Sequence, residues 1–258
     1  MIRSSRIVLA QELRDLWLGG RALALTLAFA VLLSVVAYLV ATNRALNFLE
    51  QRETVNLTLQ VAVAVGALLS LLTAADSISG ERERGTLEGV LLTPVSRVGL
   101  AGGKLLASLS LWFAAFAVTI GYVWFLGRGV GIAGIALAAG LLVGTALSIF
   151  LASVGILISL FSSSNRLSLS LSLFLLLALF APTQLPSTAQ NGWAGDLLLR
   201  VNPLTAGEHY IGRVVVNGRG WSEDLSWLAS PVLAAVALAA LALGAGPRHI
   251  RLHGGVRA

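Results

Sequence analysis

Uncharged, mostly apolar stretches alternate with short charged segments along the chain. The uncharged runs cover 22–43, 54–75, 105–127, 129–165, 167–195 and 225–247. About 20 apolar residues in a helix cross the hydrocarbon of a bilayer, and a helix pairs its own backbone groups there. The pattern predicts an all-α integral membrane protein, with residues 1–258 in one transmembrane domain. Its six transmembrane helices are expected at about 22–41, 55–77, 104–126, 132–160, 167–182 and 226–246.

Two further helices are predicted outside these six. Residues 5–18 have apolar positions at helical spacing, which predicts an amphipathic helix in the inner membrane interface. A helical extension of the first transmembrane helix is the alternative. In the outer loop, 182–226, Asn202 can cap a helix whose first position suits Pro203.

Small residues recur at every fourth position in two of the predicted transmembrane helices. Gly66 and Ser70 belong to such a series in the second helix, and Gly140, Gly144 and Ser148 in the fourth. A four-residue step keeps them on one helix face, where small side chains let two backbones approach closely. These positions predict tight helix packing, with a partner either in the same chain or in a second copy.

Composition and charge support a membrane protein and predict its orientation. Hydrophobic residues make up 57% of the chain and charged residues 12%, against roughly 25% charged residues in soluble domains. A net charge of +6 could suggest nucleic-acid binding. However, the basic residues are concentrated in segments that are cytoplasmic if both termini are inside. We therefore expect cytoplasmic N- and C-termini, contact with the lipid bilayer and no nucleic-acid partner.

Candidate catalytic chemistry is sparse. Gly102, Gly103 and Lys104 resemble part of a phosphate-binding loop, but Val98 replaces its first glycine and Leu105 its Ser or Thr. We expect no nucleotide site, and Lys104 is interpreted as an anchor at the inner interface. The chain has no cysteine, and no catalytic or metal-ligating set can be assembled from its sequence. We therefore expect no cofactor and no enzymatic activity in this chain.

One charged segment, 79–97, lies between the second and third transmembrane helices. Its four alternating charges extend the second helix beyond the membrane, and Gly85 allows a bend. Thr86 can then cap a short helix that runs through Leu92. The segment is either a short helix on the inner surface or a solvated loop whose charges maintain the topology.

The residue order in this segment resembles a known family. The sequence reads Gly-Glu-Arg-Glu-Arg-Gly-Thr-Leu-Glu at 80–88, Leu-Leu-Thr-Pro-Val-Ser-Arg at 91–97 and Gly-Lys at 103–104. This order, at this place after the second helix, is similar to the signature of type-2 permease subunits of bacterial ATP-binding cassette (ABC) transporters. The resemblance extends over the N-terminal helix, the six transmembrane helices and the outer Asn-Pro-Leu segment.

The resemblance implies the permease subunit of an ATP-driven exporter in the bacterial cytoplasmic (inner) membrane. Two permeases, either two copies or one copy with a paralogous subunit, would each contact a separate ABC ATPase, which binds ATP and magnesium. Transmembrane helices one, two and five would line the path, and the charged segment would be the coupling helix. The implied ATPase contacts are Glu81, Arg82, Glu83, Arg84, Gly85, Thr86, Leu87, Glu88, Leu91 and Leu92. The transported substrate stays open.

Two other functions fit six transmembrane helices. An ion-gradient-driven secondary transporter usually places ionisable groups near the middle of the membrane, whereas the charged residues here lie near the helix ends. A non-transporting membrane anchor or assembly factor would need a different partner for the charged segment. The Leu-, Val-, Ala- and Ser-rich helices favour a hydrophobic or amphipathic cargo over a small ion.

Overall fold

The chain is folded mainly into helices. The computed structural model describes residues 2–42, 48–87, 89, 92, 96–184 and 192–244. No strand occurs among these residues, which confirms the predicted all-α class. The helices are α1 Ile2–Leu18, α2 Arg21–Ala41, α3 Phe48–Glu83, α4 Arg97–Gly127, α5 Ala133–Phe161, α6 Asn165–Phe180, α7 Trp193–Val201, α8 Pro203–Val215 and α9 Ser226–Gly244, with a 3₁₀ turn, Ala181–Gln184, after α6.

Six of these helices are long and apolar enough to cross a membrane, as predicted, and the protein is a multi-pass membrane protein. α3 has 36 residues and α4 has 31, well beyond the roughly 20 that cross the hydrocarbon. Both helices therefore extend past the membrane or tilt within it. The candidate spans are Arg21–Val40, Gln51–Glu83, Arg97–Gly127, Ala133–Phe161, Asn165–Thr183 and Ser226–Gly244.

α4 begins before the transmembrane segment that the sequence predicts at about 104–126. The helix starts at Arg97. The Ser96 hydroxyl caps its first turn by accepting a hydrogen bond from the Gly99 N–H at 3.1 Å. Lys104 therefore lies inside the helix. The length of the apolar run does not locate this start. The helix begins at an exposed arginine, Arg97, and it continues through Lys104, whose charge is compensated by an ion pair.

α3 and α5 form the centre of the bundle. Within the most apolar part of each span, 67% of the residues are buried in α5 and 56% in α3, but only 11% in α2. The two central helices come into close backbone contact at Gly155, where an added Cβ would lie 2.6 Å from the Leu71 carbonyl oxygen. The peripheral helix α2 therefore presents most of its surface to lipid or to another subunit.

Two glycines of the predicted packing faces contact one tryptophan of the same chain. An added Cβ on Gly144 would lie 2.1 Å from the Trp112 ring, and an added Cβ on Gly66 would lie 2.7 Å from it. The indole N–H of Trp112 donates to the Thr145 hydroxyl at 3.1 Å. The Trp112 side chain from α4 thus fills a slot between α3 and α5 that exists because both neighbours are glycines.

The other predicted packing residues also lie inside this chain. An added Cβ on Gly140 would lie 2.5 Å from the Leu59 side chain. Ser70 and Ser148 are fully buried, and the Ser70 hydroxyl donates to the Gly66 carbonyl oxygen at 3.4 Å. The small-residue faces of α3 and α5 are therefore occupied by helices of the same chain.

α1 is a separate helix that packs against α4. The chain turns between α1 and α2 at Gly20, whose φ of 80° is left-handed and favours glycine. Val8 and Leu16 are buried, and the indole N–H of Trp17 donates to the Ser110 hydroxyl at 3.0 Å. α1 is therefore attached to the bundle by both apolar and polar contacts.

The region between α6 and α9 contains two short helices. The Asn202 side-chain oxygen accepts from the Leu204 N–H at 2.9 Å and caps α8, as predicted, while its amide donates to the Leu179 carbonyl oxygen at 2.7 Å. Tyr210, which is 1% exposed, donates to the Trp221 carbonyl oxygen at 2.8 Å. These bonds attach α8 to the end of the bundle where α6 finishes. The sequence did not predict α7.

Candidate functional site at the inner end of the bundle

The charged segment leaves α3 through a turn at Gly85. This glycine has a φ of 70°, a left-handed conformation that costs glycine little. The Thr86 N–H and hydroxyl both donate to the Glu81 carbonyl oxygen, at 3.0 and 3.3 Å. These bonds complete the end of α3. They direct the chain across the end of the bundle predicted to be cytoplasmic, called the inner end below.

The first apolar side chain after the turn attaches the segment to the bundle. Leu87 is only 4% exposed and belongs to a buried cluster with residues of α1, α3, α4, α5 and α9. The backbone is helical at Leu87 and Gly89, and Leu92 is 84% exposed. The predicted coupling residues Glu88 and Leu91 lie outside the described residues.

Lys104 joins three elements at this end. Its ammonium group donates to Glu12 Oε1 of α1 at 2.7 Å and to Glu81 Oε1 of α3 at 2.5 Å, and its side chain is 1% exposed. The interpretation of Lys104 as an interface anchor is therefore wrong. An anchor lysine places its charge among water and lipid headgroups. The charge of Lys104 is instead compensated by two carboxylates inside the protein.

A second polar cluster joins α2, α3 and α6. Asp76 accepts from the Arg21 guanidinium on one carboxylate oxygen and from the Asn165 side-chain amide on the other, each at 2.7 Å. The Ser79 hydroxyl donates to the Asn165 side-chain oxygen at 3.1 Å. Asp76 is thus satisfied from two sides and ties two peripheral helices to the central one.

The last turn of α3 is also attached to the connection between α5 and α6. The Arg82 guanidinium donates to the carbonyl oxygens of Ser162 and Leu160, the latter at 3.3 Å. A Glu83 carboxylate oxygen accepts from the Asn165 N–H at 3.0 Å. The end of α3 is therefore held in place just before the chain turns at Gly85.

The predicted coupling residues that the structure describes fall into two groups. One group has side chains that contact the rest of this chain: Glu81, Arg82, Glu83 and Leu87. The other group is exposed at the inner end: Arg84, Gly85, Thr86 and Leu92. The exposed group combines a positive charge with a large apolar side chain and is available to a partner. The first group fixes the position of the second.

A polar cavity of about 390 Å³ lies behind this exposed group, between α1 and the inner ends of α2, α3 and α4. Acidic and basic side chains both line it, so their charges largely compensate one another inside the protein. They include Glu12, Asp15, Asp76 and Glu81, and Arg21, Arg84 and Lys104.

A second polar cavity, of about 530 Å³, lies at the opposite end between α3 and α8. Glu53, Asn56, Gln60 and Glu208 are among the residues that line it, and the Gln60 amide donates to the Glu208 carbonyl oxygen at 3.3 Å. Burial raises the pKa of the Glu208 carboxyl to about 7. This outer cavity therefore carries less negative charge at neutral pH than its two glutamates suggest.

Sequence reasoning did not identify Asn165 and Ser159 as members of the inner site. The Ser159 hydroxyl accepts from the Ser79 N–H at 2.8 Å, and Asn165 bonds to Asp76 and Ser79. The available signal was the polar run between the fourth and fifth transmembrane helices, 162–165. Such short polar residues close to helix ends often bond to a neighbouring helix.

Comparison with known proteins identifies the family. The model of a family described as "ABC-2 family transporter protein" matches residues 6–246. The chain belongs to this ABC-2 family, which confirms the resemblance drawn from the charged segment. It is also similar to the "Probable ABC transporter permease protein NosY" of Stutzerimonas stutzeri, with 35% identity over 119 residues. That match covers 46% of this chain and 41% of the relative, less than half of each.

Proposed function

We propose that this chain is the permease subunit of an ATP-driven ABC exporter in the bacterial cytoplasmic membrane. The permease provides the path, and a separate ABC ATPase subunit binds ATP and magnesium and supplies the energy. The observation that carries the proposal is the charged segment, 79–97. Glu81 and Arg82 in its α3 part bond to other helices of the bundle, Leu87 is buried against the bundle, and Arg84 and Leu92 are exposed.

The proposed transmission element is α3. This single helix of 36 residues is about 54 Å long at 1.5 Å per residue, so it connects the inner site to the opposite end. Closure of the ATPase subunits around ATP would move the coupling segments of two permeases together. Because the segment is bonded to α3 and α3 packs on α5, the movement would reach the central helices of each permease.

A second permease, identical or paralogous, belongs to the same proposal. The peripheral spans α2 and α6 have only 11% and 22% of their most apolar residues buried within the chain. Exposed apolar side chains such as Leu27 and Phe174 cover them. We infer that these surfaces face lipid, the second permease and a hydrophobic or amphipathic cargo that passes between the two subunits.

The coupling role is tested by reversing the chemistry of the exposed group. We expect Arg84→Glu combined with Leu92→Asp to leave the permease folded but to abolish co-purification with its ATPase. The reason is that loss of an interface centre typically costs a few kcal/mol. The matched control is Arg128→Glu with Leu225→Asp, an exposed pair at the outer end, which should retain the ATPase.

The measurement is affinity pull-down from membranes of cells that express both subunits, with size-exclusion chromatography to verify folding. A doubly substituted permease that elutes normally and still retains its ATPase would contradict the coupling assignment. Loss of the ATPase from both double variants would indicate a general effect of the charge changes instead.

The membrane orientation has its own test. The chain lacks cysteine, so single cysteines can be labelled without background. We expect Ala194→Cys in α7 to react with an impermeant maleimide in intact cells, and Gly89→Cys to react only after permeabilisation. Both positions are exposed, and an added side chain at Gly89 meets nothing within 4 Å. Labelling of Gly89→Cys in intact cells would reverse the assigned orientation.

A further inference from the structure

Lys104 is an unusual residue in this chain. It is the only lysine in the sequence, and the other basic residues are arginines and histidines. Its side chain is 1% exposed and touches two carboxylates, Glu12 and Glu81, at 2.7 and 2.5 Å. A compact ammonium group with three donors suits such a closed site, whereas a guanidinium with five donors would leave some of them unpaired.

This cluster costs free energy to bury. Two carboxylates share one cation, and Glu81 Oε2 is buried with no hydrogen-bond partner among the described residues. Replacing a buried ion pair by apolar residues of similar volume is often neutral or stabilising, whereas removing one partner alone is strongly destabilising. Stability alone therefore does not account for the cluster. An ion pair is directional, so it favours one relative position of two helices more strongly than an apolar contact of similar size.

The contacts around Lys104 point to such a fixed position. The backbone of α1 approaches α4 at the adjacent Gly103, where an added Cβ would lie 2.8 Å from the Val8 side chain and 3.4 Å from the Leu9 nitrogen. Val8 also belongs to the buried cluster that contains Leu87. α1 and the charged segment are thus joined through α4 twice, by an apolar cluster and by the ammonium group of Lys104.

We propose that Lys104 is a positioning residue that fixes α1 and the charged segment on α4, so that the three move as one unit. The inference rests on the proposed function only in its second half, the movement of this unit when the ATPase closes. The fixed position itself is a property of this chain and can be measured without the ATPase.

The test separates position from stability with two variants. Lys104→Met alone leaves two partly buried carboxylates without this cation, and we expect a lower melting temperature. Lys104→Met with Glu12→Gln and Glu81→Gln removes all three charges, and we expect it to recover most of the melting temperature. The triple variant nevertheless lacks the ionic link, so its α1 should no longer be held at one position.

The readout is the distance between spin labels at Ala10→Cys in α1 and Gly89→Cys in the charged segment, measured by electron resonance in nanodiscs. Both positions are exposed. For the permease alone we expect one narrow distance distribution with Lys104 present and a broad one in the triple variant. Equally narrow distributions in both would overturn the positioning role.

The same label pair in the complex with the ATPase tests the common movement. We expect the wild-type distance to stay the same without nucleotide and with ATP trapped by vanadate. A distance that changes on trapping would overturn the movement as one unit. If the proposed function is wrong, no ATPase will co-purify with the unsubstituted permease. That result would not affect the distance measurement on the permease alone.

Discussion

Substitution of Gly155 by alanine is expected to be the most damaging single-methyl change in the bundle. The added Cβ would lie 2.6 Å from the Leu71 carbonyl oxygen, 2.9 Å from the Ala74 Cβ and 3.0 Å from the Ala75 nitrogen. These atoms belong to the backbone of α3 or are attached directly to it, so no flexible side chain can move aside. Overpacking of this kind costs about 1–3 kcal/mol, and we expect the upper end.

Two other glycines provide the comparison. Gly144→Ala places its Cβ 2.1 Å from Trp112, but there the obstacle is a side chain that can shift at some cost. Gly121→Ala meets nothing within 4 Å and gains helix propensity. Melting temperatures in detergent, read by fluorescence-detected size exclusion, should be highest for Gly121→Ala, lower for Gly144→Ala and lowest for Gly155→Ala. A Gly155→Ala permease as stable as Gly121→Ala would show that α3 and α5 are not in close backbone contact.

Loss of the Asp76 side chain is the second large effect that we expect. Asp76→Ala removes the acceptors of Arg21 and of the Asn165 amide, both at 2.7 Å. Hydrogen bonds to charged groups contribute about 1.5–3 kcal/mol each. The Arg21 side chain is 59% exposed and regains water, which reduces its share. We therefore expect a loss of about 2 kcal/mol in the free energy of unfolding.

The matched control lies one residue away in the same helix. The Ser77 hydroxyl donates only to the Ala74 carbonyl oxygen within α3, so Ser77→Ala should change stability little. We also expect Asp76→Ala to increase proteolysis between α1 and α2, because α2 loses its ionic contact with α3. Equal melting temperatures for the two variants would show that the Asp76 cluster does not hold α2.

The number of transmembrane helices could be predicted from the sequence because the length of an uncharged run is a direct physical requirement of the bilayer. The length of an uncharged run does not give the helix ends, which depend on caps and on the compensation of charges. Lys104 resembles a helix boundary in sequence, yet Glu12 and Glu81, which compensate its charge, are separated from it by 92 and 23 positions. Compensation at such separations is visible only once the helices are packed.

The packing glycines were also only partly predictable, because sequence spacing shows which residues share a helix face but not which helix they contact. A four-residue step locates Gly140 and Gly144 on α5, but Gly155 breaks this step, although its Cα lies close to the backbone of α3. The charged segment, 79–97, stands out in the sequence by its residue order. Its division into side chains held by the bundle, such as Leu87, and exposed ones, such as Leu92, depends on packing with distant helices.

The position of α4 has a consequence for synthesis and membrane insertion. α1 and α2 leave the ribosome before α4, yet several of their contacts are made with that later helix: Glu12 with Lys104, Trp17 with Ser110, and the Ser34 hydroxyl with that of Tyr122 at 2.6 Å. α2 is apolar enough to enter lipid unaided. α1, by contrast, has no ion-pair partner for Glu12 until α4 is translated, so the N-terminal helix completes its docking only after the third transmembrane helix has been inserted.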